Sequence, residues 1–566
     1  MDTSERLIGS LENLGVERVF GYPGGRAIEL LEGLRDSSVD VVRPRDEREA
    51  SVMAEMHGRL TGSPGVLTGQ GPWIGSLGSI GQMEARLGSS PMVTITEASE
   101  RGTYSTVAPY QQSRGDYGGL ELPKILDAVT KEHWFPRSPT ETVRSLQLAF
   151  KHAVAGRPGP TAVVLDGDAV TEEFDGDVLP PVWDDERQTR TWDSRPTAAD
   201  VARAAEALEA AERPVIVAGN GVHAASAYDE LRAVAEAYDA AVATSYLGKS
   251  TIAETHPLAA GVIGSFGHEG ANQVVSEADA LLVVGCRLNP MDTNWQAPEF
   301  IRPDEQTIVH ADIDSRNAGW VYPADVGLIG DAAESLRELA ATGSSSNDWA
   351  RERAAEAQES FTAPECESDA SPILPQRAVK EIEAVVDEDT VVTADSGNNR
   401  FWLLNYLQTP GVRTYFGSGG VGGMGWATPA AVSAALATDD DTNVVGVAGD
   451  GGFAMTMTSV ETAVEHGVAP TFVVLNDTSL GMVRQMQEGD GDIAGVEFHD
   501  TDFVSVAEAF GATGVRATTP AELGDALRDG EGADVPTVID ARIDREQDMA
   551  DLLQLSFYAS VGGLHE

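Results

Sequence analysis

The sequence predicts an α/β protein of three doubly wound domains with parallel sheets. Three observations carry this expectation. Short apolar runs rich in valine alternate along the chain with segments of helical period. The helix in TSVETAVEHG, between two such runs, opens on Ser or Thr and stops at Gly. Two polar joints divide the alternation into three blocks, and a length of 566 residues allows two to four domains.

The first block, residues 1–170, opens with a helix in SERLIGSLENLG and a strand in RVFGYPGG, and alternates on to the strand PTAVVLDG. The joint 171–195 is acidic, holds several prolines and shows no period. The second block, 196–342, has a helix in AADVARAAEALEAAE and strands in PVIVAGNG and ADALLVVGC. A second polar joint spans 343–372, and the third block spans 373–550. The tail DLLQLSFYASVGGLHE is short and partly apolar, and is expected to dock. No short-period repeat is visible.

Within the third block, GDGGFAMTMTSVETAVEHGVAPTFVVLND reads as the heart of a β-α-β unit, with the strand TNVVGVAG before it and APTFVVLN at its end. Strands joined in this way are parallel, so Asp450 and Asn476 fall at the same carboxyl edge of one sheet. Open α/β sheets bind ligands at that edge. Hard oxygen ligands beside exposed backbone amides suit Mg²⁺ and a diphosphate. GDG alone is equally the mark of a capped Gly-rich turn; the helix and the terminal Asn-Asp make it more than that.

Composition narrows the class. The chain is 42% hydrophobic and 23% charged, as in globular proteins. No apolar run has membrane-spanning length, and the polar, acidic start is unlike a secretory signal, so a cytoplasmic location is expected. Two distant cysteines, Cys286 and Cys366, exclude a disulfide framework or a cysteine metal site. The formal net charge is -51, and the only lysines are Lys124, Lys131, Lys151, Lys249 and Lys380. A dispersed acidic surface of this kind looks halophilic: soluble in concentrated salt, self-repelling in dilute buffer. It disfavours nucleic acid, which needs a basic face.

Other constellations carry two readings each. Glu47, in RPRDEREASVMAE, follows an apolar strand and precedes an Ala-rich helix; it is a desolvated acid fit for proton exchange or one solvated acid among several. Met424, the one large apolar group in GSGGVGGMG, braces a ligand or fills a gap. Asn398 and Asn399 end a strand and either donate to phosphate oxygens or form a turn. Gly219-x-Gly221 is a weak dinucleotide fingerprint or an ordinary tight turn. The ten histidines are scattered, and most are expected at the surface or in caps.

Taken together, GVERVFGYPGG, the glutamate before MAE, GRPGP, GSGGVGGMGWATPAA, the GDG…ND segment and SLGMVRQMQE resemble the thiamine-diphosphate-dependent 2-oxoacid enzymes, above all acetolactate (acetohydroxyacid) synthase large subunits. The resemblance covers nearly the whole chain. It implies pyrimidine-binding, central and diphosphate-binding domains in that order. It implies that Asp450, Asn476 and the Thr478 carbonyl hold Mg²⁺, which anchors the diphosphate. It places Pro23, Gly24, Gly397, Asn398, Asn399, Gly422, Gly449, Gly451, Gly452, Gly481 and Met482 at the coenzyme, with Met424 as the wedge that bends it. RDEREASVMAE aligns with the family's RHEQGAAHMAE, so Glu47 matches the glutamate that protonates the aminopyrimidine. Gln111, in PYQQ, matches a glutamine beside the substrate. The implied reaction removes carbon dioxide from a 2-oxoacid such as pyruvate and joins the remaining unit to a second 2-oxoacid, feeding branched-chain amino-acid biosynthesis. In the family the active site lies between subunits, which implies a homodimer or tetramer; a regulatory small subunit and FAD are further family associations.

The chain departs from the family around the substrate. The family's GARFDDR reads GCRLNPM, with Met291 in place of an arginine that recognises the substrate carboxylate or flavin. SGPGATN reads QGPWIGS, which puts Trp73 and Ser76 at pocket positions; ITGQV reads ITEAS, with Glu97; the tryptophan of VRQWQ is Met486. These changes keep a second reading open, a related decarboxylase, carboligase or lyase with another substrate. A third, a non-enzymatic flavin- or nucleotide-binding paralogue, is opposed by Glu47, Asp450 and Asn476.

Overall fold

The computed structural model describes residues 2–98, 111, 113–115, 119–174, 179–189, 194–491 and 493–549; the tail expected to dock lies outside them. It contains three six-stranded sheets, and every strand pair within them is parallel. The first sheet comprises β1 (Arg18–Gly21), β2 (Asp40–Val42), β3 (Gly65–Gln70), β4 (Met92–Glu97), β5 (Glu132–Trp134) and β6 (Pro160–Leu165), in the order β2-β1-β3-β4-β6-β5. The second comprises β7 (Pro214–Ala218), β8 (Ala241–Thr244), β9 (Ala259–Val262), β10 (Ala280–Val284), β11 (Thr307–Asp312) and β12 (Val326–Ile329), in the order β12-β11-β10-β7-β8-β9. The third comprises β13 (Val391–Ala394), β14 (Tyr415–Gly417), β15 (Val444–Gly449), β16 (Thr471–Asn476), β17 (Thr513–Ala517) and β18 (Thr537–Arg542), in the order β14-β13-β15-β16-β18-β17.

The central strands form because they are continuous apolar runs. β7, β10 and β16 are buried at every position, as strands covered on both faces must be. Numbered from their own first strands, the first and third sheets share one order. The second sheet has the order of doubly wound dinucleotide-binding folds. Beside its first strand each order reverses, between β1 and β3, between β7 and β10, and between β13 and β15; the first and third sheets turn back once more at β6 and at β18. Ligands of open sheets bind beyond the strand ends at such a reversal.

The chain forms two compact units. One contains Met1–Trp192, Ser418–Thr438 and Thr456–Val468; the other contains Asp193–Gly417, Asp439–Met455 and Ala469–Glu566. In the first, the helix Ala427–Ala437 packs on the helix Glu47–Thr61, and Ser433 Oγ donates to the Met53 carbonyl at 2.7 Å. The second holds the second and third sheets. The segment 343–372, expected as a joint, carries the helix Trp349–Gln358, whose Ala350, Ala354 and Ala357 are buried.

Two expectations are refined here. The helix expected in TSVETAVEHG forms as Ser459–His466, closed by Gly467 at a φ of 68°, but a further helix, Asp450–Thr456, precedes it where none was expected. Not every histidine lies at the surface: His223, His268 and His310 are buried. Each ring meets buried backbone, as where His268 Nδ1 accepts from the Val262 amide at 3.0 Å and its Nε2 lies 2.9 Å from the Asn405 carbonyl oxygen. Burial pushes the His268 pKa down to about 3. Cys286 and Cys366 are both buried and free.

Candidate active site

In the third sheet, the loops after β13, β15 and β16 carry most of the expected coenzyme residues. After β13, Gly397 adopts a φ of 122°, and a Cβ there would lie 2.9 Å from Asn399 Oδ1. That turn starts the helix Asn398–Tyr406, so the two asparagines open a helix rather than ending a strand. Asn399 Nδ2 donates back to the Asp395 carbonyl at 2.8 Å, which fixes its side chain inward. Asn398 Nδ2 donates to Gln485 Oε1 at 3.0 Å, while its Oδ1 is buried without a hydrogen-bond partner among the described residues.

β15 and β16 are adjacent, and their ends bring Asp450 and Asn476 to one edge. Both side chains are buried. Burial pushes the Asp450 carboxyl up to about 7, and the charges of Asp477 and Asp540 add to the rise. Asn476 Nδ2 donates to Asp540 Oδ1 at 2.8 Å, which turns Asn476 Oδ1 outward to accept from the Thr478 amide at 3.0 Å. Thr478 takes a left-handed φ of 59°, strained for a β-branched residue. Its carbonyl accepts one hydrogen bond, from the Phe498 amide at 2.9 Å, and retains a second lone pair. A Cβ on Gly481 would lie 2.6 Å from Asp477 Oδ2 and 3.3 Å from Asn398 Nδ2, so glycine is required where these groups converge. Gly449 and Gly451 flank Asp450, Gly452 is buried behind them, and Met482 packs against the domain's apolar core.

This donor set is one carboxylate, one amide oxygen and one carbonyl, all hard oxygens of the kind Mg²⁺ takes. Among the described residues no group of three or more His, Cys, Asp or Glu is placed to hold a metal. The fit rests instead on charge: Asp450 is buried beside two further acids, and a divalent cation would supply the compensation its ionised form lacks. Asp540, by contrast, accepts from Arg516 Nε at 3.0 Å and Arg542 Nη2 at 2.9 Å.

The first sheet carries the other expected residues. Asp46 caps the helix Glu47–Thr61 by accepting from the Glu49 amide at 2.9 Å. Glu47 is therefore the first helical residue and is buried against β3, its Cγ 3.5 Å from where a Cβ on Gly69 would sit. Burial pushes its carboxyl above the ordinary range, and the Asp46 charge adds to this. The solvated reading of Glu47 is thereby excluded. At the reversal between β1 and β3, Pro23 is exposed, and Gly24 lies so close to Gln70 that a Cβ would be 3.1 Å from Gln70 Oε1. Gln70 Nε2 donates to Gln111 Oε1 at 3.0 Å, and Trp73 Nε1 donates to Gln70 Oε1 at 3.1 Å. Trp73 is 43% exposed. Glu97, at the end of β4, is buried beside Gly25. Gly422 has a φ of 73°, and Met424 lines a small cavity with Arg48, Val52, Ile80 and Trp426.

The second sheet gives the Gly219-x-Gly221 turn its explanation. A Cβ on Gly221 would be 2.5 Å from Gly285 Cα, and one on Gly285 would be 2.4 Å from Gly221 Cα. The glycines allow the turns after β7 and β10 to touch, so backbone packing, not a ligand, accounts for them. Met291 packs against the apolar core, and no charge stands at its position.

Sequence reasoning missed a buried group in the first unit, Glu55, Arg59 and Glu84. Arg59 Nη2 lies 2.7 Å from Glu55 Oε1 and 3.0 Å from Glu84 Oε1. The spacing Glu55-x-x-x-Arg59 is the ion-pair spacing of a helix and was the available signal; Glu84 gave none.

The chain matches three domain models in order: the N-terminal TPP binding domain of thiamine pyrophosphate enzymes over 1–117, the central domain over 201–339, and the C-terminal TPP binding domain over 395–541. It is 32% identical to a probable acetolactate synthase large subunit of Methanocaldococcus jannaschii, over 96% of this chain and 92% of that one. It is 31% identical to the acetolactate synthase large subunit of Corynebacterium glutamicum, over 95% and 86%. It is 30% identical to the acetolactate synthase isozyme 3 large subunit of Escherichia coli, over 92% and 90%. Domain order, sheet topology and near full-length similarity agree: the chain is a thiamine-diphosphate-dependent enzyme and belongs to the thiamine pyrophosphate enzyme family, among relatives of the acetolactate synthase large subunits.

Proposed function

We propose that the enzyme acts as an acetolactate synthase: it decarboxylates pyruvate and ligates the two-carbon unit to a second 2-oxoacid, for branched-chain amino-acid biosynthesis. The observation that carries this is the oxygen cluster of Asp450, Asn476 and Thr478 at one sheet edge, with a buried carboxyl raised by burial and neighbouring acids. The names of the full-length relatives supply the reaction.

When bound, thiamine diphosphate supplies a nucleophilic carbon and an electron sink for decarboxylation. The chain's part is holding, orienting and moving one proton. Asp450, Asn476 and the Thr478 carbonyl hold Mg²⁺. Gly397, Asn398 and Asn399, at a helix start, receive the diphosphate together with Gly449, Gly451, Gly452, Gly481 and Met482. Asn398 Oδ1, which has no hydrogen-bond partner among the described residues, would be available to such a ligand. Met424 braces the coenzyme, and Pro23 and Gly24 approach its pyrimidine. Glu47, its carboxyl raised by burial, would exchange a proton with that ring. Gln111, held through Gln70 and Trp73, faces the substrate.

The residue boundaries of the three domains, 1–170, 196–342 and 373–550, belong to the same reading. So does a homodimer or tetramer in which Glu47 of one copy serves the coenzyme held by Asp450 of another. The relatives' designation as large subunits supports a regulatory small subunit. A cytoplasmic, salt-adapted enzyme is supported by the net charge of -51. FAD is disfavoured by Met291. The alternative, a related decarboxylase, carboligase or lyase, is favoured by Trp73 and Glu97 near Gln111's anchor.

Purification in molar salt followed by pyruvate assays with and without thiamine diphosphate and Mg²⁺ tests the proposal. Acetolactate formed only with both supports it; acetaldehyde, or no turnover of pyruvate, favours the alternative. A yellow preparation would overturn the flavin statement. Full stability in low-salt buffer would remove the salt adaptation.

A further inference from the structure

We propose that Glu84 is a positioning residue: its carboxylate clamps four successive backbone amides, residues 419–422, and so fixes the loop that presents Met424. This rests on the reading of Met424 as the coenzyme brace. Glu84 Oε1 accepts from the amides of Gly419 at 2.9 Å and Gly420 at 2.7 Å; Oε2 accepts from Val421 at 2.8 Å and Gly422 at 3.4 Å. Successive amides turned to one point form a concavity for an anion, and here the chain fills it with its own carboxylate. The fit is close: a Cβ on Gly420 would lie 3.0 Å from Glu84 Oε1 and 2.9 Å from the Glu84 carbonyl oxygen. Burial opposes the charge of Glu84, but Arg59 and these amides outweigh it and hold the carboxyl below its usual range.

The same network grips the loop beyond Met424. Arg59 bridges Glu84 to Glu55, and Glu55 Oε2 accepts from Trp426 Nε1 at 3.0 Å. Between the two grips, Ser418 Oγ donates to the Gly423 carbonyl at 3.1 Å, and Thr456 Oγ1 to that of Gly425 at 3.1 Å. Met424 is thus the free side chain of a segment pinned on both sides. A glycine-dense loop has the greatest conformational freedom of any sequence. An interior carboxylate is a costly way to hold it, and what it fixes here is the setting of one side chain.

The test is a double-mutant cycle on the full chain in high salt with Glu84→Gln, Met424→Ala and the pair. Glu84→Gln is expected to lower kcat about tenfold in the wild-type background and less than about twofold beside Met424→Ala, because groups acting through one another are not additive. Hydrogen exchange of amides 419–422 is expected to quicken in Glu84→Gln with or without coenzyme. Additive effects on kcat, or unchanged exchange, overturn the inference. Should Glu84→Gln not fold, Glu84→Asp keeps the charge beside Arg59 while withdrawing it from the amides, and serves the same cycle. An inactive wild type overturns the functional reading instead, and the exchange measurement still decides whether the clamp exists.

Discussion

The first and third sheets share one strand order, yet the buried acids beside them are not all compensated alike. Beside the first sheet, Glu55 and Glu84 share Arg59, and Glu84 takes four amides as well. Beside the third, Asp540 has Arg516 and Arg542, but burial and neighbouring acids hold Asp450 up to about 7. The contrast teaches where ligands belong on a repeated scaffold. An acid compensated by the chain supports the structure; an acid left uncompensated at the sheet's carboxyl edge is where the proposed cation would sit. Glu47 is intermediate. It is buried and its carboxyl raised without an arginine among the causes, as would suit the proton exchange proposed for it.

The sharpest way to break this contrast is at Asp450. Asp450→Ala is expected to weaken Mg²⁺-dependent coenzyme binding about a thousandfold, beyond the 10–100-fold typical of groups behind the ligands. Binding by calorimetry checks it; wild-type affinity would erase the distinction between the two sheets. Next comes Arg59→Met, which strands two buried carboxylates and is expected to cost about 3–5 kcal/mol of unfolding free energy in denaturant titrations. A cost below about 1 kcal/mol, the worth of a surface pair, would mean that the first sheet's acids are not internally compensated. Glu47→Gln follows, with kcat reduced about 100-fold and coenzyme affinity retained. Parallel losses in both would assign Glu47 to binding instead.

The smallest effect concerns Glu49, whose carboxyl burial pushes up to about 7 despite hydrogen bonds from the Thr458 hydroxyl and the Arg45 amide. A folded pKa above the unfolded value means that stability is full below about 4.5 and is lost as pH rises through about 7. Glu49→Gln is therefore expected to match the wild type near pH 4.5 and to exceed it by up to about 3 kcal/mol at pH 8. A difference that does not change with pH would show that Glu49 is solvated.

Much of this was legible in the sequence because it is local. The valine-rich runs give buried parallel strands, and the β-α-β spacing puts Asp450 and Asn476 at one edge without knowledge of the rest. The identical order of the first and third sheets was not legible, since strand order depends on which strands pair across long intervals. The Glu84 clamp joins groups more than 300 residues apart, with no spacing rule to signal it. The buried histidines were not singled out because their backbone partners, such as Asn405 for His268, lie far along the chain. Glu47 looked solvated beside Asp46 and Glu49 until the helix start carried it under β3.

The most direct measurement is a calorimetric titration of thiamine diphosphate into the chelator-treated enzyme in concentrated salt, before and after magnesium is restored. Saturable uptake that appears only with magnesium, and is absent from Asp450→Ala, is the expected result. Equal uptake without the metal, or none with it, would contradict the assignment of the third sheet's edge as the coenzyme anchor.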